Sequence, residues 1–202
     1  MLSCDTPTTA PSTFAYDPTG LTGGQLYRWD TGRQVNVYVV PGSSGSAQII
    51  EAVDVAMPRW NAVPRGETVR LQRTTVAAQA NVVVYDNTSP LPVVTPDDCP
   101  FSTFSALGYT YFCARSGRAV PLPFVGGGGS ATVVIRLDLS RTTATSPLSA
   151  VVMHELGHAI GIGGHSQSDT DVMFALPRTS TVSGRDAQTL RYLLAQAANV
   201  LL

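Results

Sequence analysis

His154-Glu155-Leu156-Gly157-His158-Ala159-Ile160-Gly161-Ile162-Gly163-Gly164-His165 holds all three histidines of a 202-residue chain. His154 and His158 stand four residues apart. On a helix their side chains share one face, one turn apart, where two imidazoles can hold a single metal ion. Glu155 is the next residue after His154, about 100° round the helix axis. That angle keeps its carboxylate out of the same ion's ligand set but within reach of a water held there. Zinc lowers the pKa of such a water to about 7, and a neighbouring carboxylate can take its proton and hand it to a leaving group. H-E-x-x-H on a helix is the pattern that this chemistry requires.

A catalytic zinc takes three protein ligands and leaves a fourth position open. No glutamate follows Glu155 in the chain, so a downstream glutamate is excluded as the third ligand. Asp169, Asp171 and Asp186 remain as oxygen donors, although a turn residue or a local cap is the plainer reading of Asp169 and Asp171. His165 is the only downstream histidine, and imidazole is the commoner zinc ligand. Gly161 favours it, because a glycine ending the helix can adopt a left-handed conformation and turn the chain back beneath the ion.

Working outward, the chain is long enough for one domain with a sizeable core. Hydrophobic residues make up 44% and charged residues 13%, which argues against disorder. The net charge is −1 with no charge run, so nothing favours nucleic acid or an anionic surface. No apolar stretch approaches the ~18 residues of a membrane span. Residues 1–25, rich in Thr, Pro, Ser and Gly, read as a flexible N-terminal tail, and 26–202 as the single catalytic domain.

Within that domain, Val35, Val37 and Val39 alternate with polar residues as a strand. A helix is predicted from Ser46 to about Val63, kinked or shortened by Pro58. Strands are predicted at Val69–Thr75, Asn81–Tyr85, Leu107–Phe112 and Thr132–Leu139. Ser146 as N-cap and Pro147 as first helical residue should open the helix that carries the histidines. A last helix starts at Ser183 with Asp186 as the acid of a capping box, and Leu190, Leu194 and Ala197 form its apolar face. Trp29 and Trp60 read as core.

The run from His154 through Gly161 to His165-Ser166, with Asp171-Val172-Met173 just downstream, resembles the active-site segment of metzincin-clan zinc metalloproteases. The likeness is to the matrixin branch. Residues 146–174 carry the specific motifs, while the order of elements extends the likeness to about 27–197. The resemblance implies an α+β fold: a twisted five-stranded mixed sheet with two helices packed on it, an active-site helix, a Met-turn at Met173 and a C-terminal helix. It implies a cleft between 26–161 and 162–202, with zinc on His154, His158 and His165 and Glu155 as base and then acid. It also implies that the edge strand Leu107-Gly108-Tyr109-Thr110 pairs with an extended peptide, and that Phe174, Ala175 and Pro177 wall a substrate side-chain pocket. The sequence departs from the family in three ways. His165 comes one residue later than the usual third histidine, with Gly163-Gly164 placed to absorb the insertion. Ala175 stands where some metzincins carry a tyrosine ligand. No further histidine is left for a structural zinc; calcium, which needs only oxygen ligands, stays open.

The expected protein is a monomeric zinc endopeptidase acting on protein or peptide substrates. A non-catalytic zinc protein that binds a partner, or a hydrolase of a non-protein amide, is the alternative. Cys99 and Cys113 flank a Pro-rich loop that a disulfide would close, worth ~3 kcal/mol on a chain-entropy estimate; two free buried thiols are the plainer alternative. No signal peptide is visible, so either a leader has been removed or the protein is cytosolic; the cysteines favour removal and a secreted or cell-surface location, with Cys4 a candidate lipid anchor, an exposed thiol or a thiolate that reaches the metal.

Overall fold

The computed structural model describes residues 13–20, 24, 26–29, 32, 34–63, 69–87, 106–112, 114–115, 118–119, 133–196 and 200–201. Cys4, Cys99, Cys113 and Ala197 lie outside the described residues.

The chain folds as an α+β unit around a five-stranded mixed sheet. Its strands are β1 (Gln34–Val39), β2 (Arg70–Thr74), β3 (Val82–Asp86), β4 (Gly108–Phe112) and β5 (Val133–Leu137). They lie in the order β2-β1-β3-β5-β4. Every pairing is parallel except the last, where β4 runs antiparallel to β5 with Gly108 opposite Leu137 and Thr110 opposite Ile135. The sequence thus placed all five strands within about two residues, and put Leu107–Phe112 correctly at an edge.

Side-chain alternation sets the layers. Val35, Val37 and Val39 of β1, Val82 and Val84 of β3, and Val133, Ile135 and Leu137 of β5 join the main core. On the opposite face Tyr85, Tyr111 and Val134 form a second small cluster.

Helix α1 (Ser46–Asn61) turns Ile49, Val53, Met57 and Trp60 into the core. Pro58 sits in its last turn, and the helix ends two residues short of the predicted Val63. Helix α2 (Leu148–Ala159) packs on α1 and on β4 and β5, and every residue from Ala150 to Ala159 is buried. That enclosure explains why α2 carries little polar surface and puts its histidines inside the molecule. Two tryptophans fix its backbone: Trp60 Nε1 donates to the Met153 carbonyl at 2.9 Å, and Trp29 Nε1 to the Ala159 carbonyl at 2.8 Å. The second bond satisfies a carbonyl that the helix end leaves without a helical partner. Helix α3 (Gly184–Ala195) opens with the expected capping box, Ser183 and Asp186 bonding reciprocally. Its core residues are Leu190 and Leu193, with Leu194 only partly buried.

Two predictions need correction. Pro147, not Ser146, is the N-cap of α2, and no side chain caps that end. Ser146 instead closes a turn, its carbonyl and amide both bonded to Thr143. The tail reading also fails for residues 13–20. Tyr16 and Pro18 are buried, the Ala15 amide donates to Thr189 Oγ1 at 3.2 Å, and the Phe14 ring meets Tyr192 edge-on. Composition concealed this, because two well-placed rings are enough to dock an otherwise polar segment.

Candidate metal centre

Helix α2 presents His154 and His158 with their Nε2 atoms 3.1 Å apart. His154 Nδ1 lies 2.8 Å from the Val172 carbonyl and His158 Nδ1 lies 2.6 Å from the Ile162 carbonyl. A carbonyl only accepts, so each Nδ1 carries the proton and each Nε2 presents a lone pair. Burial holds the His154 pKa well below the ordinary imidazole value, reinforced by His158 and His165 and opposed by the Val172 bond. Burial likewise brings His158 down to about 4, with the Ile162 bond opposing and His165 assisting. Two neutral imidazoles thus aim lone pairs at each other, a repulsive arrangement that a cation relieves. Two nitrogens each about 2.0–2.1 Å from a tetrahedral zinc lie roughly 3.3 Å apart, so the observed pair fits.

His165 completes the group. Its ring centroid is 5.1 Å from that of His154 and 5.2 Å from that of His158. The candidate ligand atoms of the three histidines lie within 4.8 Å of one another. His165 is half-buried, and burial lowers its pKa too, which favours the neutral, metal-binding form. Three imidazoles would leave zinc a fourth position for water or substrate.

The turn that delivers His165 follows from Gly161. Helix α2 closes with the Gly161 amide on the His158 carbonyl at 2.8 Å and the Ile162 amide on Gly157 at 3.1 Å. That is the Schellman pattern, and it requires the left-handed conformation that Gly161 adopts at φ 113°. A Cβ there would also lie 2.2 Å from the Tyr27 carbonyl oxygen.

Met173 is fully buried against α2. A Cβ on Gly157 would lie 2.3 Å from the Met173 sulfur and 2.9 Å from Trp60, so Gly157, between the two histidines in sequence, lets the methionine in. The Ser166 amide donates to the Met173 carbonyl at 2.8 Å and closes the loop.

Glu155 is buried against the edge strand. Thr110 Oγ1 donates to its carboxylate at 2.6 Å and contacts its backbone carbonyl at 3.1 Å. Gly108 lies against it so closely that a Cβ would sit 2.6 Å from Oε1. Burial pushes the Glu155 pKa up to about 7, against a downward pull from the Thr110 hydroxyl. Gly108 and Thr110, expected from the sequence to contact substrate, are seen here to seat this carboxylate. Tyr109, between them, points outward and is half-exposed. Leu107 is partly buried, and its carbonyl accepts from the Asp138 amide at 2.9 Å.

Past Met173, Phe174 is partly buried with the Arg178 guanidinium 5.7 Å above its ring. Ala175 is exposed and Pro177 buried.

Two carboxylates work harder than their sequence context indicated. Asp171 is fully buried, not a solvated turn residue, and accepts from Ser166, from Ser183 at 2.7 Å and from Arg185 at 2.8 Å. Burial pushes its pKa up, but those hydrogen bonds and the Arg185 charge outweigh it and leave the carboxyl below the usual range. Asp186 accepts from Tyr16 at 2.8 Å, Val172 at 2.9 Å, Met173 at 3.3 Å and Ser183 at 2.9 Å. Both are committed elsewhere and neither joins the metal group; Asp169 pairs with Arg178 at the surface.

Among the described residues no helix is long and apolar enough to cross a membrane. Compared with protein-family models the chain matches none, and no curated protein matches it.

Proposed function

We propose that the chain is a metzincin-like zinc endopeptidase, hydrolysing peptide bonds in protein substrates. The observation that carries this reading is Glu155, a buried carboxylate on the same helix as the histidine pair, held in place by Thr110. A protein that used its metal only to grip a partner would have no need to bury an ionisable base one residue from a ligand.

His154, His158 and His165 would hold the ion, which when bound supplies Lewis acidity toward a carbonyl oxygen and toward water. Glu155 takes a proton from the attacking water as its oxygen bonds to the scissile carbon. It returns that proton to the amide nitrogen as the C–N bond breaks, giving a carboxylic acid and an amine. Thr110 keeps the carboxylate aimed through both transfers. The edge of β4, over Gly108-Tyr109-Thr110, is suited to take an extended peptide as an added strand. Phe174, Ala175 and Pro177 would border the pocket for the side chain after the cleaved bond. The same reading places the protein outside the cytosol as a monomer.

The test is digestion of a diverse peptide mixture read by mass spectrometry, with Glu155→Ala as control. Internal cuts made by the zinc-loaded wild type and missing from the variant are expected. A zinc-loaded wild type that makes no cuts would point instead to a binding protein or a non-peptide substrate.

A further inference from the structure

The third ligand arrives on a loop that its own backbone does little to hold. The Schellman closure secures the chain as far as Ile162, and the bond to Met173 secures it again at Ser166. Between them lie Gly163 and Gly164, which contribute no side chain to packing.

What lies against those glycines is the N-terminal segment. The Gly163 amide donates to the Pro18 carbonyl at 2.7 Å. Gly164 packs so closely on the Asp17 carbonyl that a Cβ would lie 1.9 Å from its oxygen and 3.3 Å from the Gly20 amide nitrogen. The segment is shaped for the contact, since Asp17 folds it into a turn by accepting from the Thr19 amide at 2.8 Å and hydroxyl at 2.7 Å. It is anchored at its other end by the Tyr16 ring in the core, whose hydroxyl donates to Asp186 at 2.8 Å. The Gln188 side chain also donates to the Thr13 carbonyl at 3.2 Å.

We propose that residues 13–20 are a strap that positions His165, acting through Gly163 and Gly164, so that metal affinity depends on docking of the N-terminal segment. The proposal rests on the metal-centre reading above. It gives a physical role to the glycine pair ahead of His165: the loop takes an outside support, and glycine at 164 is what lets that support approach. Tyr16 and Pro18 are positioning residues and do not touch the ion.

The test measures zinc affinity by chelator competition, with thermal unfolding of the metal-free proteins as a fold control. In the full chain, residues 13–20 are replaced by an equally long Gly-Ser run, with and without His165→Ala. Altering groups that orient a ligand typically costs about 10–100-fold in metal affinity. A loss of at least tenfold is expected in the wild-type background and little further loss in the His165→Ala background, because both changes remove the same support. Equal affinity with and without the strap, or an undiminished loss in the His165→Ala protein, overturns the proposal. If the replacement unfolds the chain, Tyr16→Phe gives the same comparison with the ring retained; it should weaken zinc in the wild type and not in His165→Ala. A wild type that binds no zinc would instead overturn the metal-centre reading itself.

Discussion

Asp186→Asn keeps the shape of the side chain and changes one oxygen to an NH2 group. In the native structure each carboxylate oxygen receives a backbone amide, Met173 on Oδ1 and Val172 and Ser183 on Oδ2. Either orientation of the asparagine therefore sets its NH2 against a backbone N–H. The less costly one faces Oδ1, where the Tyr16 hydroxyl can rotate to accept and only the 3.3 Å bond from Met173 is lost. A buried donor left without a partner costs about 1–3 kcal/mol, and each of the two remaining bonds to Oδ2 weakens by roughly 1 kcal/mol on losing the charge. The sum is about 3–5 kcal/mol, a large share of the 5–15 kcal/mol typical of a domain. Urea unfolding of the metal-free protein should show that loss with an unchanged m-value, and the thermal midpoint should fall by on the order of 10 °C. A loss below about 1 kcal/mol would refute the claim that Asp186 is the buried junction of the Met173 turn, α3 and the N-terminal strap.

Thr110→Val removes the hydroxyl bonded to Glu155 while keeping the size of the side chain. Bonds to charged groups contribute about 1.5–3 kcal/mol, so kcat should fall about 10–100-fold with zinc content unchanged, and Thr110→Ser should recover most of it; equal kcat values would remove Thr110 from the mechanism. Asp171 has a folded pKa below its unfolded value. Its contribution is present above the unfolded pKa of about 3.9 and is lost as pH falls through the lower folded value. Asp171→Asn should therefore be less stable than wild type at pH 7 and converge with it in acid, and a stability gap independent of pH down to about 2 would contradict this.

The strands were legible because valines recur at every second position in β1 and because β5 is β-branched, and the C-terminal end of α2 and the start of α3 because Gly161 and Ser183 each have one local job. The histidine cluster was legible for the same reason: a four-residue spacing needs only a helix to bring two imidazoles together. What escaped was held across long separations in sequence. Tyr16 is 170 residues from Asp186, and Thr110 is 45 residues from Glu155. No periodicity marks such pairs, which depend on how the sheet edge and the chain start come to lie. The burial of Asp171 was hidden because two of its partners, Ser183 and Arg185, lie at the start of the next helix.

The most direct test of the central claim is X-ray absorption on the zinc-loaded wild type and Glu155→Ala proteins, with metal content measured on the same samples. One zinc per chain is expected in both, bound by three imidazole nitrogens and one non-protein oxygen, with peptide cleavage confined to the wild type. Four protein ligands, or loss of zinc with Glu155, would contradict it.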